Sequence, residues 1–342
     1  MTDSRTAAPL VDRFDGVPLL VVGDIMLDRF IVGRVTRISP EAPVPIVRYE
    51  SEHARLGGAA NVAHNLAVLG ARVSLVGIVG DDAAAATVRQ QLAAAGISAG
   101  GIVVDRGRPT TEKVRVVTER NQQVARIDYE CDVDTSGDIE RAIVDAISSR
   151  AGDARALLVS DYLKGAITRR VIEALLAGRQ QAKVRSGAGA PSGAQTPPLI
   201  IDPKIPHLSC YAGATLITPN HHEAEVATHI RIRSQDDACR AAQAFRQRAQ
   251  CEAVLITRGE HGMWLSEPAG ERSIPAVARE VADVTGAGDT VVATLALALA
   301  AGATMTDAAI LANHAAGIVV GRFGPATVTR DELLASIGTP PT

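Results

Sequence analysis

Short apolar segments alternate with helical patterns along most of this 342-residue sequence. A run of four to eight apolar residues between turn residues is typical of a strand that is buried on both faces, and apolar residues spaced three and four apart indicate a helix. Regular alternation of the two predicts an α/β fold with a doubly wound, mostly parallel sheet. The predicted strands are residues 17–23, 73–79, 156–160, 199–202, 215–218 and 253–257, with helices at 57–69, 83–95 and 168–176.

Two stretches, residues 30–49 and 111–130, interrupt this pattern with the period-two alternation of half-exposed strands. We expect them to form a small separate β-sheet that projects from the core as a lid. The α/β core is then expected to comprise residues 1–29, 50–110 and 131–342. Within it, residues 180–198 are rich in Gly, Ala, Ser, Gln and Pro, which predicts a flexible surface insertion.

Charge and composition narrow the class of function. The formal net charge of −3 provides no positive field for a nucleic acid, so small soluble substrates are expected. The four cysteines show no CxxC spacing and the N-terminal residues lack an apolar signal core, so we expect free thiols in a cytoplasmic protein. The longest apolar run, 291–303, is too short to cross a bilayer, and no membrane partner is expected.

The strongest local signal is the segment 283–290, Asp-Val-Thr-Gly-Ala-Gly-Asp-Thr, which opens an apolar helical pattern. Its small residues Gly286, Ala287 and Gly288 let backbone amides converge at a helix N-terminus, where the amides and the helix dipole favour an anion such as a phosphoryl group. The same field favours ionised Asp289, which can accept a proton from a hydroxyl group. A glycine-rich turn with Asp289 as a helix cap is about equally compatible with the spacing.

A second signal, residues 218–223, follows a short apolar strand and opens a helix. Asn220 and Glu223 share a helical face, so the amide could meet a phosphate while the carboxylate holds Mg²⁺ through water. The spacing alone favours a simpler interpretation, an N-terminal capping box. The adjacent His221 and His222 have no third ligand at metal spacing, so a zinc site is not expected.

Two weaker signals complete the set. In the segment 55–63, Gly57 and Gly58 permit close approach of the backbone to a polar ligand, and Asn61 can pair with neighbouring hydroxyls. In the segment 257–262, Thr257 and Gly259 belong to a strand–turn–strand pattern that could hold nucleotide phosphates or ribose. A plain hairpin explains that pattern equally well.

The order of these four segments resembles the ribokinase/PfkB family of sugar kinases over essentially the whole chain. Within that family, residues 23–28, 37–45, 122–128 and 160–165 most closely resemble the D-glycero-β-D-manno-heptose 7-phosphate kinases of lipopolysaccharide core synthesis. The sequence departs from ribose kinases at Ala59 and Ala60, where those enzymes often have Lys. Many relatives are fused to an adenylyltransferase. Because this sequence ends soon after Asp331, we expect a stand-alone kinase.

The resemblance implies ATP-dependent phosphorylation of the anomeric hydroxyl of the heptose 7-phosphate to the 1,7-bisphosphate, with Asp289 as catalytic base and residues 286–288 as the anion hole. It implies ATP as co-substrate with Mg²⁺, and it makes K⁺ at Asp283 and Thr285 an option. The implied ATP-binding residues are Asn220, His221, His222, Glu223, Thr257, Gly259 and Asn313. The implied sugar-binding residues are Asp24, Asp28, Gly57, Gly58 and Asn61, with Lys113, Arg115, Lys164 and Lys204 as candidate cations for the sugar's own phosphate.

A homodimer that forms through the β lid is also expected. Two other functions remain open at this point. One is a kinase of the same family that acts on another sugar or a nucleoside. The other is a non-catalytic sugar- or nucleotide-binding regulator on the same fold.

Overall fold

A computed structural model describes residues 4–187, 196–277 and 281–338 of the chain. The strands in these ranges are β1 (Pro18–Gly23), β2 (Ile25–Ile38), β3 (Pro45–Gly58), β4 (Arg72–Val79), β5 (Ser98–Val104), β6 (Thr111–Thr118), β7 (Gln123–Tyr129), β8 (Ala156–Ser160), β9 (Leu199–Asp202), β10 (Leu216–Ile217), β11 (Ala253–Thr257), β12 (Met263–Glu267) and β13 (Gly270–Ile274).

The α-helices in the same ranges are α1 (Ser4–Val11), α2 (Ala59–Val68), α3 (Ala83–Ala94), α4 (Gly137–Ser148), α5 (Arg169–Gly187), α6 (His221–Thr228), α7 (Gln235–Ala249), α8 (Ala287–Ala300), α9 (Met305–Val319) and α10 (Arg330–Gly338). None of these helices combines the length and the apolar character that crossing a bilayer requires.

Nine strands form one sheet in the order β13-β12-β11-β10-β9-β8-β1-β4-β5. All neighbours from β11 to β5 pair in parallel, and only β12 and β13 are antiparallel, as the sequence predicts. The carboxyl ends of the parallel strands therefore meet at one edge of the sheet, which is where α/β proteins build their sites.

Residues of the buried strands alternate between two apolar layers. On β1, Leu19 and Val21 pack in the layer that contains α2, α8 and α9, while Leu20 and Val22 pack in the layer that contains α4, α5 and α7. Each such side chain contributes roughly 1.5–3 kcal/mol when it is fully buried. Because both faces are covered by helices, these strands are continuous apolar runs rather than alternating ones.

A second sheet of four strands has the order β3-β2-β6-β7. It contains the segments 30–49 and 111–130 in which a projecting sheet was predicted. The long antiparallel pair β2–β3 begins at Ile25 and ends at Gly58, so its base also includes residues that the sequence assigned to the core. The reason is burial: Ile25, Met26 and Leu27 are buried, and they continue the apolar character of β1 into the second sheet.

The predicted insertion at residues 180–198 starts later than its composition indicates. Helix α5 continues to Gly187, since the Arg-, Gln- and Ala-rich residues at its end are good helix formers. Residues 188–195 lie outside the described residues, and the backbone is described again from 196.

Candidate active site

Asp289 is the third residue of α8, the helix that follows the glycine-rich segment. The N-cap of α8 is Gly286, whose φ of 79° is a left-handed value that glycine adopts without strain. Among the described residues no side chain caps this helix, so the interpretation of Asp289 as an ordinary helix cap is wrong. The carboxylate in the first turn instead accepts hydrogen bonds from Asn61 and Tyr162.

Two donors hold the buried Asp289 carboxylate. Asn61 Nδ2 donates to Oδ2 at 2.6 Å, and the Tyr162 hydroxyl donates to Oδ1 at 2.8 Å. Burial raises the pKa of Asp289 to about 6, while both hydrogen bonds lower it, the charge of Asp28 raises it and the charge of Lys204 lowers it. The group is therefore ionised at neutral pH and can accept a proton near that pH.

The amides at the start of α8 are not equivalent. The Ala287 amide donates to the carbonyl of Val284 at 3.2 Å. Among the described residues, the amides of Gly286 and Gly288 have no backbone acceptor. An anion at this helix end would therefore be received first by Gly286 and Gly288, beside the positive end of the helix dipole.

A cavity of about 150 Å³ lies next to this helix end. It brings together residues from three of the predicted segments. The lining residues are Asn220, Glu223, Thr257 and Gly288, together with Tyr162, Asp202, Lys204, Thr218 and Val291. An isolated parallel bridge between Asn220 and Thr257 ties the second and fourth segments to each other.

Asn220 and Glu223 form the capping box at the start of α6. Asn220 Oδ1 accepts from the Glu223 amide at 2.9 Å, and Glu223 Oε2 accepts from the Asn220 amide at 2.9 Å. Glu223 Oε1 also pairs with Lys204 Nζ. The predicted capping box is therefore present, and both of its side chains also line the cavity.

Asp202, at the carboxyl end of β9, is a cavity residue that the sequence analysis missed. Burial, followed by the charge of Asp289, holds the pKa of Asp202 well above its usual range. No described residue donates a hydrogen bond to its carboxylate. The predicted strand 199–202 ends on this aspartate, and parallel sheets build their sites at the carboxyl ends of their strands, so the sequence contained a signal for it. Tyr162, likewise missed, follows β8 at the same edge.

Asp24, one of the predicted sugar-binding residues, makes several hydrogen bonds within the protein. The Asp24 carboxylate accepts three backbone amides, from Tyr162 at 2.7 Å, Lys164 at 3.1 Å and Ala166 at 3.0 Å. Burial, followed by the charge of Asp161, raises the pKa of Asp24 to about 6. In this structure Asp24 supports the loop after β8.

The two glycines of the third segment are required by protein contacts. A Cβ atom at Gly57 would lie 2.6 Å from Asp28 Oδ2, and one at Gly58 would lie 2.4 Å from the Asp24 carbonyl oxygen. Gly58 also has a φ of 54°. These glycines therefore allow the base of β3 to pack against the two aspartates.

Three of the four candidate cations have carboxylate partners. Arg115 pairs with Asp28, Lys204 pairs with Glu223, and Lys164 contacts Asp132 at 2.6 Å and Glu130 at 2.9 Å. Within the described ranges, the half-buried Lys113 has no such partner. A second cavity of about 480 Å³ beside Lys164 is lined by Asp132, Asp134, Tyr162, Leu163, Lys164 and His207.

The remaining predicted nucleotide residues are not among those that line the 150 Å³ cavity. Asn313 Nδ2, on α9, donates to the Pro275 carbonyl at 2.7 Å, and Gly259 opens a short turn with a φ of 55°. The rings of His221 and His222 are in contact, with centroids 3.9 Å apart. Burial, followed by the charge of His222, lowers the pKa of His221.

Asp283 and Thr285, the predicted potassium residues, bind each other. Asp283 Oδ1 accepts from the Thr285 amide at 2.9 Å and from its hydroxyl at 2.7 Å, and Oδ2 accepts from the Gly324 amide at 2.8 Å. These hydrogen bonds outweigh burial and lower the pKa of Asp283. The pair stabilises the turn that leads into the start of α8.

Residues 18–332 match the family described as pfkB family carbohydrate kinase, and the chain belongs to this family. It is 42% identical over 98% of its length to the bifunctional protein HldE of Citrifermentans bemidjiense and 43% identical over 98% to that of Geobacter sulfurreducens. In both cases it spans 66% of the relative's length.

Solved structures with a similar fold include Arabidopsis thaliana ribokinase complexed with ribose and ATP, at 20% identity and a TM-score of 0.68 over 95% of this chain and 99% of that one. Escherichia coli phosphofructokinase-2 in complex with substrates and products is similar at 18% identity and a TM-score of 0.75 over 94% and 98% of the two chains. The family and the ribokinase-like fold class that the sequence predicts are thereby confirmed.

Proposed function

We propose that this protein transfers the γ-phosphoryl group of ATP to the anomeric hydroxyl of D-glycero-β-D-manno-heptose 7-phosphate and forms the 1,7-bisphosphate. The observation that carries the proposal is the buried Asp289 carboxylate beside the amide-rich start of α8, in a carbohydrate-kinase chain. The choice of sugar rests on the identity to HldE proteins. The reaction would serve ADP-heptose and lipopolysaccharide core synthesis in the cytoplasm.

Asp289 is the proposed base. It takes the proton of the anomeric hydroxyl while the oxygen of that hydroxyl forms a bond to the γ-phosphorus, and the bond from this phosphorus to the β,γ-bridging oxygen breaks to release ADP. The amides of Gly286 and Gly288 would stabilise the charge on the transferring group, and Ala287 could join them by releasing the Val284 carbonyl. Catalysis is then mainly positioning and electrostatic stabilisation.

The oxygen-rich cavity fits Mg²⁺. Glu223 and Asp202 line it, and burial, followed by the charge of Asp289, raises the pKa of Asp202, so a cation in the cavity would favour its ionised form. Within the described residues, no group of three or more His, Cys, Asp or Glu is arranged to hold a metal ion. Glu223 would therefore act through water on a metal that is held largely by ATP, and the metal would offset phosphate charge.

K⁺ at Asp283 and Thr285 is a weaker part of the proposal. A carboxylate offers about four lone-pair sites, and Asp283 already uses three of them for hydrogen bonds. One site on Oδ2 remains for a monovalent cation, so Asp283 would act with backbone carbonyls rather than as the main ligand.

The four-stranded sheet is proposed to act as a lid over the sugar and as a dimer interface. The side chains of Val35, Ile38, Val44 and Tyr49 are exposed on β2, β3 and their connection. Large apolar side chains exposed together on one sheet favour burial against a partner. A second lid of the same sequence is the partner that we propose.

An acceptor screen tests the activity. ATP consumption is measured with heptose 7-phosphate, the unphosphorylated heptose, ribose and a nucleoside, and the product is identified by ³¹P NMR, with Asp289→Asn as the control. We expect the highest kcat/KM with heptose 7-phosphate and a new anomeric phosphate resonance. A higher value with a free sugar or nucleoside would reassign the substrate, and no turnover with any acceptor would favour a binding protein.

A further inference from the structure

Tyr162 lies between the two cavities of the site and contacts the Asp289 carboxylate directly. Its hydroxyl donates to Oδ1 of Asp289 at 2.8 Å, and its side chain lines both cavities. We propose that Tyr162 is a positioning residue which, together with Asn61, fixes the plane of the Asp289 carboxylate and leaves a lone pair directed at the acceptor hydroxyl. The inference rests on the proposed function, in which Asp289 is the base.

The two donors come from different parts of the fold and bind different oxygens. Asn61 is on α2 and binds Oδ2, whereas Tyr162 follows β8 and binds Oδ1. With one donor, the carboxylate could still turn about its Cβ–Cγ bond. With two donors, the orientation of the carboxylate is fixed. Each of its oxygens keeps one further lone pair that can accept from a substrate. Such orientation before the reaction is what removes part of the barrier in a phosphoryl transfer.

The backbone that carries Tyr162 is held by two buried carboxylates. Asp24, after β1, accepts the Tyr162 amide at 2.7 Å, and Asp161, after β8, accepts the Leu163 amide at 2.8 Å. Leu163 has a φ of 58°, a left-handed value that is uncommon for a leucine. Buried charges and a left-handed leucine both cost stability, and such features persist where a conformation serves function.

The ring and the hydroxyl of Tyr162 are suited to a permanent donor role. Lys204 Nζ lies 5.4 Å from the ring centroid, within range of a cation–π contact. Burial, followed by the charges of Asp289 and Asp202, raises the pKa of Tyr162 well above its usual range. The hydroxyl therefore stays protonated at every working pH and always donates to Asp289.

The charges that act on Asp289 come from several elements. The charge of Asp28 on β2 raises the pKa of Asp289, and the charge of Lys204 lowers it. The negative charge of Asp289 in turn raises the pKa of Asp202. Against these, Tyr162 supplies a hydrogen bond that favours the ionised form. Loss of its hydroxyl should release the carboxylate and make it bind a proton more tightly.

The kinetic test compares Tyr162→Phe with the control Thr168→Val. Thr168 donates its hydroxyl to the buried Glu140 at 2.7 Å, so the control removes a similar bond outside the site. Hydrogen bonds to charged groups are equivalent to factors of about 10–100, so Tyr162→Phe should lower kcat by that factor, with the KM for ATP changed less than about twofold. The control should retain the wild-type kcat.

The same substitution is then made in the Asp289→Asn background. If Tyr162 acts through Asp289, its loss there should cost less than about threefold. An equal loss in both backgrounds, a change confined to the KM for the sugar, or a wild-type kcat for Tyr162→Phe would overturn the inference. A wild-type protein that fails to phosphorylate heptose 7-phosphate would instead contradict the proposed function.

An NMR titration, which needs no turnover, tests the inference even if the wild-type protein does not phosphorylate heptose 7-phosphate. Asp residues labelled with ¹³C at the side-chain carboxyl are titrated by NMR, and the Asp289 resonance is identified by its loss in Asp289→Asn. We expect Tyr162→Phe to raise the Asp289 midpoint by about 1 pH unit and Thr168→Val to leave it unchanged. An unchanged midpoint in Tyr162→Phe would show that its hydroxyl does not act on the carboxylate.

Discussion

Replacing Asp289 by Asn removes a buried negative charge and keeps the size of the side chain. Burial raises the pKa of Asp289 to about 6 from an ordinary value of 3.8. The carboxyl group thus binds its proton more tightly in the folded protein than in the unfolded one. At pH 7 the ionised group lowers the free energy of unfolding by about 3 kcal/mol, since each pH unit of difference corresponds to about 1.4 kcal/mol.

This penalty depends on pH in a defined direction. It is fully present above the folded pKa of about 6 and disappears as the pH falls through that value towards 3.8. After subtraction of about 1 kcal/mol for a weakened hydrogen bond, Asp289→Asn should raise the free energy of unfolding by roughly 2 kcal/mol at pH 7. At pH 5 the gain should be about 1 kcal/mol smaller.

Urea unfolding of both proteins at pH 7 and pH 5 measures this difference, and a kinase assay measures the functional cost. A general base typically contributes about 10²–10⁴-fold, so kcat should fall by that factor, and the wild-type kcat/KM should decline below a pH of about 6. A variant that is less stable than the wild type by the same amount at both pH values would refute the electrostatic reasoning. A kcat loss below about tenfold would refute the role of base.

Three further outcomes follow from the site. Glu223→Gln should raise the Mg²⁺ concentration needed for half-maximal rate more than the KM for the sugar, and identical metal titrations would contradict its role. Replacing Lys113 and Arg115 by Ala should lower kcat/KM for heptose 7-phosphate by about 10–100-fold, mostly through Lys113, while affecting the unphosphorylated heptose little. Sugar should slow amide exchange in residues 30–49 and 111–130 together, and the protein should show a concentration-dependent mass. Amide exchange that does not change with sugar would contradict the lid, and a monomer at every concentration would contradict the dimer.

The start of α8 was predictable because its chemistry is local. Small residues before an apolar helix give an open N-terminus, and the left-handed Gly286 and the first-turn Asp289 occupy the predicted positions. The Asn220–Glu223 spacing was equally informative, since a capping box and a cavity-facing pair need the same two side chains. Both signals lie within a few residues of the sequence.

The residues that sequence reasoning missed depend on contacts between distant segments. Gly57 and Gly58 are predicted to face the sugar, and their closeness to Asp28 and to the Asp24 carbonyl oxygen, which leaves no room for a Cβ atom, was not visible in the sequence. Tyr162 follows a buried strand like any loop residue, and its role requires Asp24 from β1 and Asp289 from α8. The periodicity of the sequence does not predict that these three segments come into contact.

The ion pairs of the candidate cations determine how the remote phosphate of the sugar can be recognised. Arg115 and Lys164 are paired with carboxylates, so a phosphate that binds them must replace existing charge-assisted bonds, and the net gain is small. Lys113 has no described partner and would gain the full interaction. It lies opposite Asp28 on β2, the partner of Arg115. We therefore expect Lys113→Ala to lower kcat/KM for the phosphorylated sugar more than Lys164→Ala does, and the reverse order would place the phosphate in the cavity beside Lys164.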